Sequence, residues 1–499
     1  MKKFLSLLLA ISMIAAVLVS CSNGPAGTDK DHPKDSGGDV TASGEPEYTK
    51  PNVPDKKYNK TFRILGKGTS NSHWKSRDLT AEDLNSDPIN NAVYNRNAKV
   101  QELYGITVEE YSVADYFAQQ TEAMLACETD SDEYDMFCLK PEGVISALIN
   151  NGHLMDLRDM DYMDLSAPWY DNNSIEQLSI ANHVYLATGA MLIMDDDATG
   201  AVFFNKDLRA SNKKLPDFYE LVDNGQWTID RMTEFAALAA VDEDGNDMWT
   251  VGPDTWGCLS ERSTTLALIG GADLRIIEKD KDDMPVLGAS SENYFNMLEK
   301  VLQLQNNFNV TMFAEALSGY GDVWVEALDK AFNGNKALFY AAWLNRATLF
   351  RSMETDFGIL PYPKYNEDQS EYCSFVSLYC ANSITVPKTV RDTEFVSVAI
   401  EALSAYSMIG HDCLTEAYYE KTLGAKNIRD EQSKRMLDVI FANTLFDLGY
   451  MFNWGSVSST IMDLSGVVNG DASSFTRRLA QLEKSYQKNM EKTIEAIMK

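Results

Sequence analysis

From residue 61 onward, the hydrophobic positions of the chain follow two alternating patterns. Short runs of consecutive apolar residues are typical of buried strands, whereas apolar residues spaced three and four apart indicate amphipathic helices. The pattern predicts strands over residues 61–65, 106–111, 134–139 and 202–205, and helices over residues 88–104, 116–127, 144–151 and 294–308. Alternating strands and helices are typical of a parallel sheet covered by helices, so the predicted fold class is α/β.

Polar residues follow two of these predicted strands. Asn71 and Ser72 come after the first strand, and Glu142 comes after the third. Ligands of open parallel sheets bind beyond the carboxyl ends of the strands. We therefore expect these three side chains to border a binding site. The last eighty or so residues predict helices only.

The first sixty residues have a different composition. Lys2 and Lys3 precede an apolar run over residues 4–18, which is short for a membrane span of about 20 residues. The run ends in Leu18-Val19-Ser20-Cys21, which resembles a bacterial lipobox, with an ordinary signal peptide as the alternative. We expect residues 1–20 to be a lipoprotein signal peptide. Residues 21–60 would be the acylated (palmitate) Cys21 and a disordered tether rich in small and polar residues.

The charge balance excludes several functions. The 499 residues include 44 Lys and Arg against 74 Asp and Glu, a formal charge of −30, which repels nucleic acids and anionic lipid head groups. The five histidines are not spaced as metal ligands, and the Asp-rich residues 242–247 fit a turn better than a calcium loop. We expect no metal and no cofactor. The six cysteines after Cys21 leave free thiols and disulfides both open.

Several segments match motifs of one protein family. Residues 134–136 with 152–157 resemble the family's "YD…G-x-L-x-D-L" stretch, and residues 202–208 resemble its "YNKDL" motif. Residues 332–339 and 356–364 resemble "F-x-x-G-K-A-A-M" and "DFGVLPLPK". In this order, behind a lipobox, the motifs resemble the extracellular solute-binding proteins of carbohydrate ABC importers, which include maltodextrin-binding protein.

The resemblance implies a two-lobed, type II periplasmic-binding-protein-like fold. A hinge of several segments would join the lobes, with crossings near residues 190–200, 377–387 and 411. The first lobe would comprise residues 61–190 with 385–410, and the second residues 200–376 with 412–499. Ligand would bind where the lobes close on each other.

Sugars need aromatic platforms together with carboxylate, amide or guanidinium groups that bond their hydroxyls. The resemblance implies platforms at Trp343 and Trp454, and burial in the core is the alternative for both. Asp195, Asp196 and Asp197 would line the first crossing, or else form a solvated turn. Further candidates are Arg346, which could instead pair with an acid, and Trp256 in a predicted loop.

The predicted function is a substrate-binding lipoprotein that is not an enzyme. It would act as a monomer on the outer face of the cytoplasmic membrane, held by its lipid anchor, and deliver a sugar or oligosaccharide to an ABC permease. The alternatives are a non-sugar polar solute in the same fold, and a surface lipoprotein that binds or hydrolyses glycans. Motifs typical of serine hydrolases and zinc peptidases are missing from the sequence, which argues against hydrolysis.

Overall fold

The computed structural model of the protein describes residues 39–40, 46–67, 74, 76–113, 116–351, 353–427 and 430–499. The chain divides into two units, Met1–Glu47 and Tyr48–Lys499. In the first unit, strand β1 (Asp39–Val40) pairs antiparallel with β2 (Pro46–Glu47). The predicted signal peptide, Cys21, Asn71 and Ser72 lie outside the described residues.

The second unit contains strands and helices in alternation. Its strands are β3 (Lys60–Gly66), β4 (Ile106–Ser112), β5 (Met136–Leu139), β6 (Gly200–Asn205), β7 (Trp256–Ser260), β8 (Ile277–Lys279), β9 (Pro285–Leu287), β10 (Thr311–Phe313), β11 (Ala337–Trp343), β12 (Phe357–Leu360), β13 (Ser374–Phe375), β14 (Ser383–Thr385) and β15 (Thr444–Leu445). The helices are α1 (Pro88–Tyr104), α2 (Tyr116–Glu128), α3 (Ser146–Asn150), α4 (Asn172–Leu178), α5 (Met194–Asp197), α6 (Lys206–Ser211), α7 (Phe218–Asp223), α8 (Ile229–Ala239), α9 (Thr264–Gly271), α10 (Glu292–Gln305), α11 (Lys330–Asn333), α12 (Arg346–Phe350), α13 (Thr393–Met408), α14 (Leu414–Glu416), α15 (Glu431–Ala442), α16 (Leu448–Phe452), α17 (Val457–Met462) and α18 (Phe475–Ile497). Short 3-10 and π turns, and a longer π-helical segment over Ala417–Asn427, connect several of them.

A mixed sheet of four strands forms in the order β14-β5-β3-β4. Strand β3 runs parallel to both β4 and β5, as the strand–helix–strand order predicts. Strand β14 returns from far along the sequence and pairs antiparallel with β5. The sheet forms because its central strands carry large apolar residues on both faces, such as Phe62, Ile64 and Phe137, all fully buried.

A second mixed sheet has five strands in the order β10-β7-β11-β6-β12. Strand β7 runs parallel to β10 and β11, while β6 runs antiparallel to β11 and β12. The carboxyl ends of β7, β10 and β11 therefore meet at one edge of this sheet. Its strands come from residues 200–360, and those of the four-stranded sheet from residues 60–139 and 383–385. The predicted lobe boundaries stay a prediction.

The structure corrects two expectations about secondary structure. The C-terminal residues are not helical throughout, because β15 pairs in parallel with β13, 70 residues earlier in the chain. Trp256 does not lie in a loop, since it begins the buried strand β7. The six cysteines after Cys21 are free thiols. Among the described residues, no helix combines the length and the apolar character needed to cross a membrane.

Candidate ligand-binding site

The carboxyl edge of the five-stranded sheet carries three residues of one cavity. Glu261 directly follows β7, Glu315 follows β10 by two residues, and Trp343 ends β11. The parallel pairing of these strands brings residues that are far apart in sequence to one place. This is the edge at which α/β sheets bind their ligands.

The cavity has a volume of about 470 Å³ and opens to solvent. Its wall combines aromatic rings, carboxylates and small polar groups. The bordering residues are Trp74, Glu142, Glu261, Arg262, Ser263, Glu315, Trp324, Trp343, Arg346, Ser377, Tyr379, Cys380, Tyr450, Asn453, Ser458, Ser459 and Met462.

Glu261 organises the aromatic part of the wall. Its Oε1 accepts a hydrogen bond from Trp343 Nε1 at 3.0 Å and another from Ser263 Oγ at 2.5 Å. Its Oε2 accepts a hydrogen bond from Trp324 Nε1. One carboxylate therefore holds two indole rings, and hydrogen bonds to a charged acceptor are the stronger kind. Trp343 is buried, only 4% exposed, whereas Trp324 keeps 38% of its surface exposed.

A turn after β5 brings Glu142 to the same cavity. Gly143 has a φ of 77°, a left-handed conformation that glycine adopts without strain. Glu142 donates its backbone N–H to Leu378 O at 3.0 Å, which ties the turn to the returning chain. The Glu142 carboxylate accepts from Lys140 Nζ at 2.9 Å, and Lys140 Nζ also lies 3.9 Å from the centre of the Tyr379 ring.

Two cationic residues of the wall are paired with acids. Arg346 Nη1 lies 2.9 Å from Asp329 Oδ2, and both side chains are buried. Arg262 binds Asp463 through Nε at 2.8 Å, and its backbone N–H donates to Glu315 Oε2 at 3.0 Å. The Glu315 carboxyl retains exposed surface, yet partial burial and the charge of Glu261 raise its pKa to about 7. The wall thus offers hydrogen-bonding groups with little uncompensated positive charge.

Three of the predicted site residues meet at this cavity, namely Glu142, Trp343 and Arg346. Arg346 also pairs with an acid, Asp329, which is the alternative role considered for it in the sequence analysis. The binding roles of the three stay predictions, because the structure gives their positions only.

Trp454 lies in the core, 3% exposed. Its ring stacks on Phe452 at 4.7 Å, and its Nε1 donates to Thr493 Oγ1 at 2.9 Å. The preceding residue, Asn453, borders the cavity and has a left-handed φ of 45°. Asn453 Nδ2 donates to Ser459 Oγ at 2.7 Å.

Asp195, Asp196, Asp197 and Trp256 also lie away from the cavity. Tyr418 and Tyr419 donate hydrogen bonds to Asp197 Oδ1 at 2.8 Å and Asp196 Oδ1 at 2.9 Å. Asp195 is buried in the same short helix, α5, so the three acids are not a solvated turn. Trp256 packs on Trp249, with ring centres 5.2 Å apart.

The sequence analysis did not identify Glu261, Glu315 or Trp324. The first two follow strands β7 and β10, which no hydrophobic pattern had indicated, so the rule about strand ends could not be applied to them. Trp324 had the spacing of a helix face with Leu328 and Phe332, and it lies at the start of a π turn, Trp324–Asp329.

The fold matches solved structures of solute-binding proteins over most of the chain. No protein-family model and no curated protein matches the amino-acid sequence. The structural matches have sequence identities of 12–15%, a level at which the likeness shows the fold. The chain therefore has the periplasmic-binding-protein fold of carbohydrate ABC solute-binding proteins, as predicted.

Three of these structures were solved with different ligands. A cyclo/maltodextrin-binding protein complexed with maltotetraose has a TM-score of 0.53 and 12% identity over 90% of this chain and 97% of that one. A Streptococcus pneumoniae solute-binding protein in complex with the blood group A-trisaccharide has a TM-score of 0.52 and 14% identity, over 85% of this chain and 100% of that one. UgpB from Mycobacterium tuberculosis in complex with glycerophosphocholine has a TM-score of 0.53 and 14% identity, over 80% of this chain and 95% of that one.

Proposed function

We propose that this protein is the solute-binding component of an ABC importer and that it captures a sugar or oligosaccharide without chemically changing it. The observation that carries the proposal is the pair of tryptophans, Trp343 and Trp324, which Glu261 orients at the carboxyl edge of the sheet. Aromatic faces contact the apolar C–H faces of sugar rings, and neighbouring carboxylates accept hydrogen bonds from sugar hydroxyls.

The composition of the wall supports a neutral, hydroxyl-rich ligand. Three carboxylates border the cavity, Glu142, Glu261 and Glu315, and both bordering arginines are paired with acids. An anionic ligand would face the carboxylates without a compensating charge. Two similarly folded proteins were solved with a maltodextrin and a trisaccharide, which agrees with this class of ligand.

A non-sugar polar solute is the second candidate, and it differs only in the ligand. UgpB, which has a similar fold, was solved with glycerophosphocholine. A ligand with a cationic group could use the carboxylates Glu142 and Glu315 of this cavity.

A thermal-shift screen separates these candidates. A ligand that binds only the folded state stabilises it by about 2.7 kcal/mol at a hundredfold excess over its Kd. We expect a raised Tm with one or more neutral oligosaccharides, and no rise with glycerophosphocholine or other charged solutes. The oligosaccharide should be recovered intact, because the proposed function is non-catalytic.

The matched variants are Trp324→Ala and Trp249→Ala. Trp324 borders the cavity and is exposed, so its loss should abolish most of the ligand-induced shift and leave the ligand-free Tm nearly unchanged. Trp249 packs beside Trp256, outside the cavity wall, so its variant should keep the full shift. A full shift in Trp324→Ala would place the ligand elsewhere and contradict the proposed site.

We also propose that Cys21 anchors the protein to the outer face of the cytoplasmic membrane, on the strength of the lipobox-like residues 18–21. Substituting Cys21→Ser should move the protein from the membrane fraction to the medium, with an unchanged Tm. Retention of the correctly processed variant in the membrane fraction would contradict the anchor.

A further inference from the structure

The C-terminal helix α18 carries an excess of positive charge on a chain that is strongly acidic as a whole. Residues 475–499 contain six Lys and Arg against three Glu, whereas the whole chain has 44 Lys and Arg against 74 Asp and Glu. Four of the six cations follow one another at intervals of seven and four residues, which places them on one face of a helix. This face, the basic stripe, comprises Arg477, Lys484, Lys488 and Lys492.

The basic stripe faces solvent. The opposite side of α18 packs on the rest of the protein, and its buried residues are Phe475, Tyr486, Thr493 and Ile497. All six cations of residues 475–499 are exposed. Three exposed glutamates reduce the positive charge of this surface without cancelling it, namely Glu483, Glu491 and Glu495.

The cations of the basic stripe are not neutralised within the molecule. None of them forms an ion pair with an Asp or Glu in the described parts of the chain, whereas the exposed Arg391 pairs with Asp130. Lys484, Lys488 and Lys492 are four residues apart, and like charges at this spacing repel each other and destabilise a helix. An anionic partner that lies along the stripe would remove this repulsion.

The basic stripe acts locally, although the whole molecule has a formal charge of −30. Physiological salt screens exposed charges that are more than about 8 Å apart, so a surface in contact with the stripe interacts mainly with the stripe. The acidic remainder of the protein repels the same surface, which leaves one favourable orientation. The stripe is linear and about 22 Å long from Arg477 to Lys492, at about 1.5 Å per residue, which suits a flat anionic surface.

We propose that the basic stripe of α18 docks the protein on the anionic phospholipid head groups of the membrane that holds its lipid anchor. Clusters of Lys and Arg on a helix bind such head groups, and each cation strengthens binding roughly fivefold. The anchor proposed at Cys21 would keep the stripe beside the membrane at a high effective concentration, so weak docking suffices. No residue of the stripe borders the candidate sugar cavity, so the docking contact and the sugar contact use different residues.

Sedimentation with lipid vesicles tests this surface in the absence of the anchor. The protein used is the chain that begins at Ser22, which lacks Cys21 and the apolar residues 4–18. At low ionic strength, we expect binding to vesicles of phosphatidylcholine and phosphatidylglycerol in equal parts, and no binding to phosphatidylcholine alone. Raising the salt to about 1 M shortens the screening length to about 3 Å and should release the protein.

Two triple variants separate the effect of the stripe from that of net charge. The stripe variant combines Lys484→Gln, Lys488→Gln and Lys492→Gln. The control variant changes three exposed lysines outside α18 and combines Lys57→Gln, Lys213→Gln and Lys214→Gln. Both variants lose the same formal charge, so we expect at least tenfold weaker vesicle binding for the stripe variant and wild-type binding for the control. Both should unfold like the wild type, because the replaced side chains are exposed.

Three outcomes would overturn the assignment. Equal losses in the two variants would mean that net charge, and not the stripe, determines binding. Equal binding to phosphatidylcholine alone would mean that the contact is not with anionic head groups. Absence of binding to the anionic vesicles would leave an acidic protein surface as the partner of the stripe. Failure of the sugar proposal, or of the anchor at Cys21, would not change the vesicle result.

Discussion

The sequence gives Trp343 and Trp454 the same two possible roles, a ligand platform or a core residue, but their surroundings in the fold differ. Both lie at the end of an element, where a ring could face solvent. The difference comes from partners far along the chain. Trp343 Nε1 donates to Glu261 in the cavity wall, and Trp454 Nε1 donates to Thr493 in the C-terminal helix α18. A local sequence pattern contains neither partner, so it could not separate the two roles.

Substituting each tryptophan by phenylalanine separates the roles by experiment. Trp343→Phe removes the donor to Glu261 and shortens the aromatic platform, so sugar affinity should fall roughly tenfold to hundredfold. Trp454→Phe should retain sugar affinity and lose roughly 1–3 kcal/mol of unfolding free energy, because the Thr493 hydroxyl loses its donor. Calorimetry and urea unfolding of both variants provide the two readouts. Unchanged affinity in Trp343→Phe would remove this residue from the site.

Protonation of the buried Glu401 carboxyl should make the unfolding free energy depend on pH. Glu401 is 1% exposed, accepts from Tyr170 OH at 2.8 Å, and has its pKa raised to about 8 by burial. Between the ordinary pKa of 4.5 and about 8, the folded carboxyl holds a proton that the unfolded one has released. The unfolding free energy should therefore decrease as the pH rises through this interval.

The variant Glu401→Gln stays neutral and should not show this decrease. Relative to wild type, its unfolding free energy should improve by roughly 2–4 kcal/mol between pH 4.5 and pH 9. Urea unfolding of both proteins at several pH values measures the difference, and other titrating groups cancel in the comparison. Parallel pH profiles would mean that Glu401 is ionised in the folded protein.

At the scale of elements, one buried hydroxyl joins the C-terminal helix α18 to two neighbouring segments. Thr493 Oγ1 accepts from Trp454 Nε1 at 2.9 Å and donates to Asn150 Oδ1 at 2.5 Å, at the end of helix α3. One side chain thus connects α18 both to the segment before α17 and to α3.

Thr493→Val keeps the shape of this side chain and removes both hydrogen bonds. It leaves the buried Trp454 Nε1 and the half-buried Asn150 Oδ1 without this partner, so it should cost roughly 1–3 kcal/mol of unfolding free energy. Thr476→Val, at an exposed position of the same helix, is the matched control and should change stability by less than about 0.5 kcal/mol. Equal unfolding curves for the two variants would show that the connection contributes nothing.

The elements that could be predicted from sequence are those with a long hydrophobic pattern. Strands β3, β4, β5 and β6 and helices α1 and α10 lie within a few residues of their predicted bounds. Strands β10 and β15 have three and two residues, which is too few to show the hydrophobic periodicity of a strand. They form because distant strands pair with them. Glu142 was found because its strand was found. Glu261 was missed because β7, although five residues long, follows a turn-rich segment that obscured it.

At the scale of the molecule, the four-stranded and the five-stranded sheets both send carboxyl strand ends to one cavity. Glu142 comes from the first sheet, and Glu261 and Glu315 come from the second. Ser377 and Cys380, on the chain that returns toward β14, also border it. A ligand that contacts both sheets favours the closed arrangement, in which the two sheets are closest. The difference between its affinities for the closed and the open arrangement sets how far the equilibrium shifts.

Hinge closure predicts a change of size in solution. With a saturating amount of the sugar identified by thermal shift, small-angle scattering should give a smaller radius of gyration than without it. The variant Trp324→Ala, at the same sugar concentration, should stay near the ligand-free value, because its weaker binding leaves most molecules unliganded. The scattering experiment should use a chain that begins at Ser22, so that neither the apolar residues 4–18 nor the proposed acyl chain causes association and enlarges the radius. A saturated protein with an unchanged profile would mean that the sheets keep one arrangement, which would contradict a hinge at the predicted crossings near residues 190–200, 377–387 and 411.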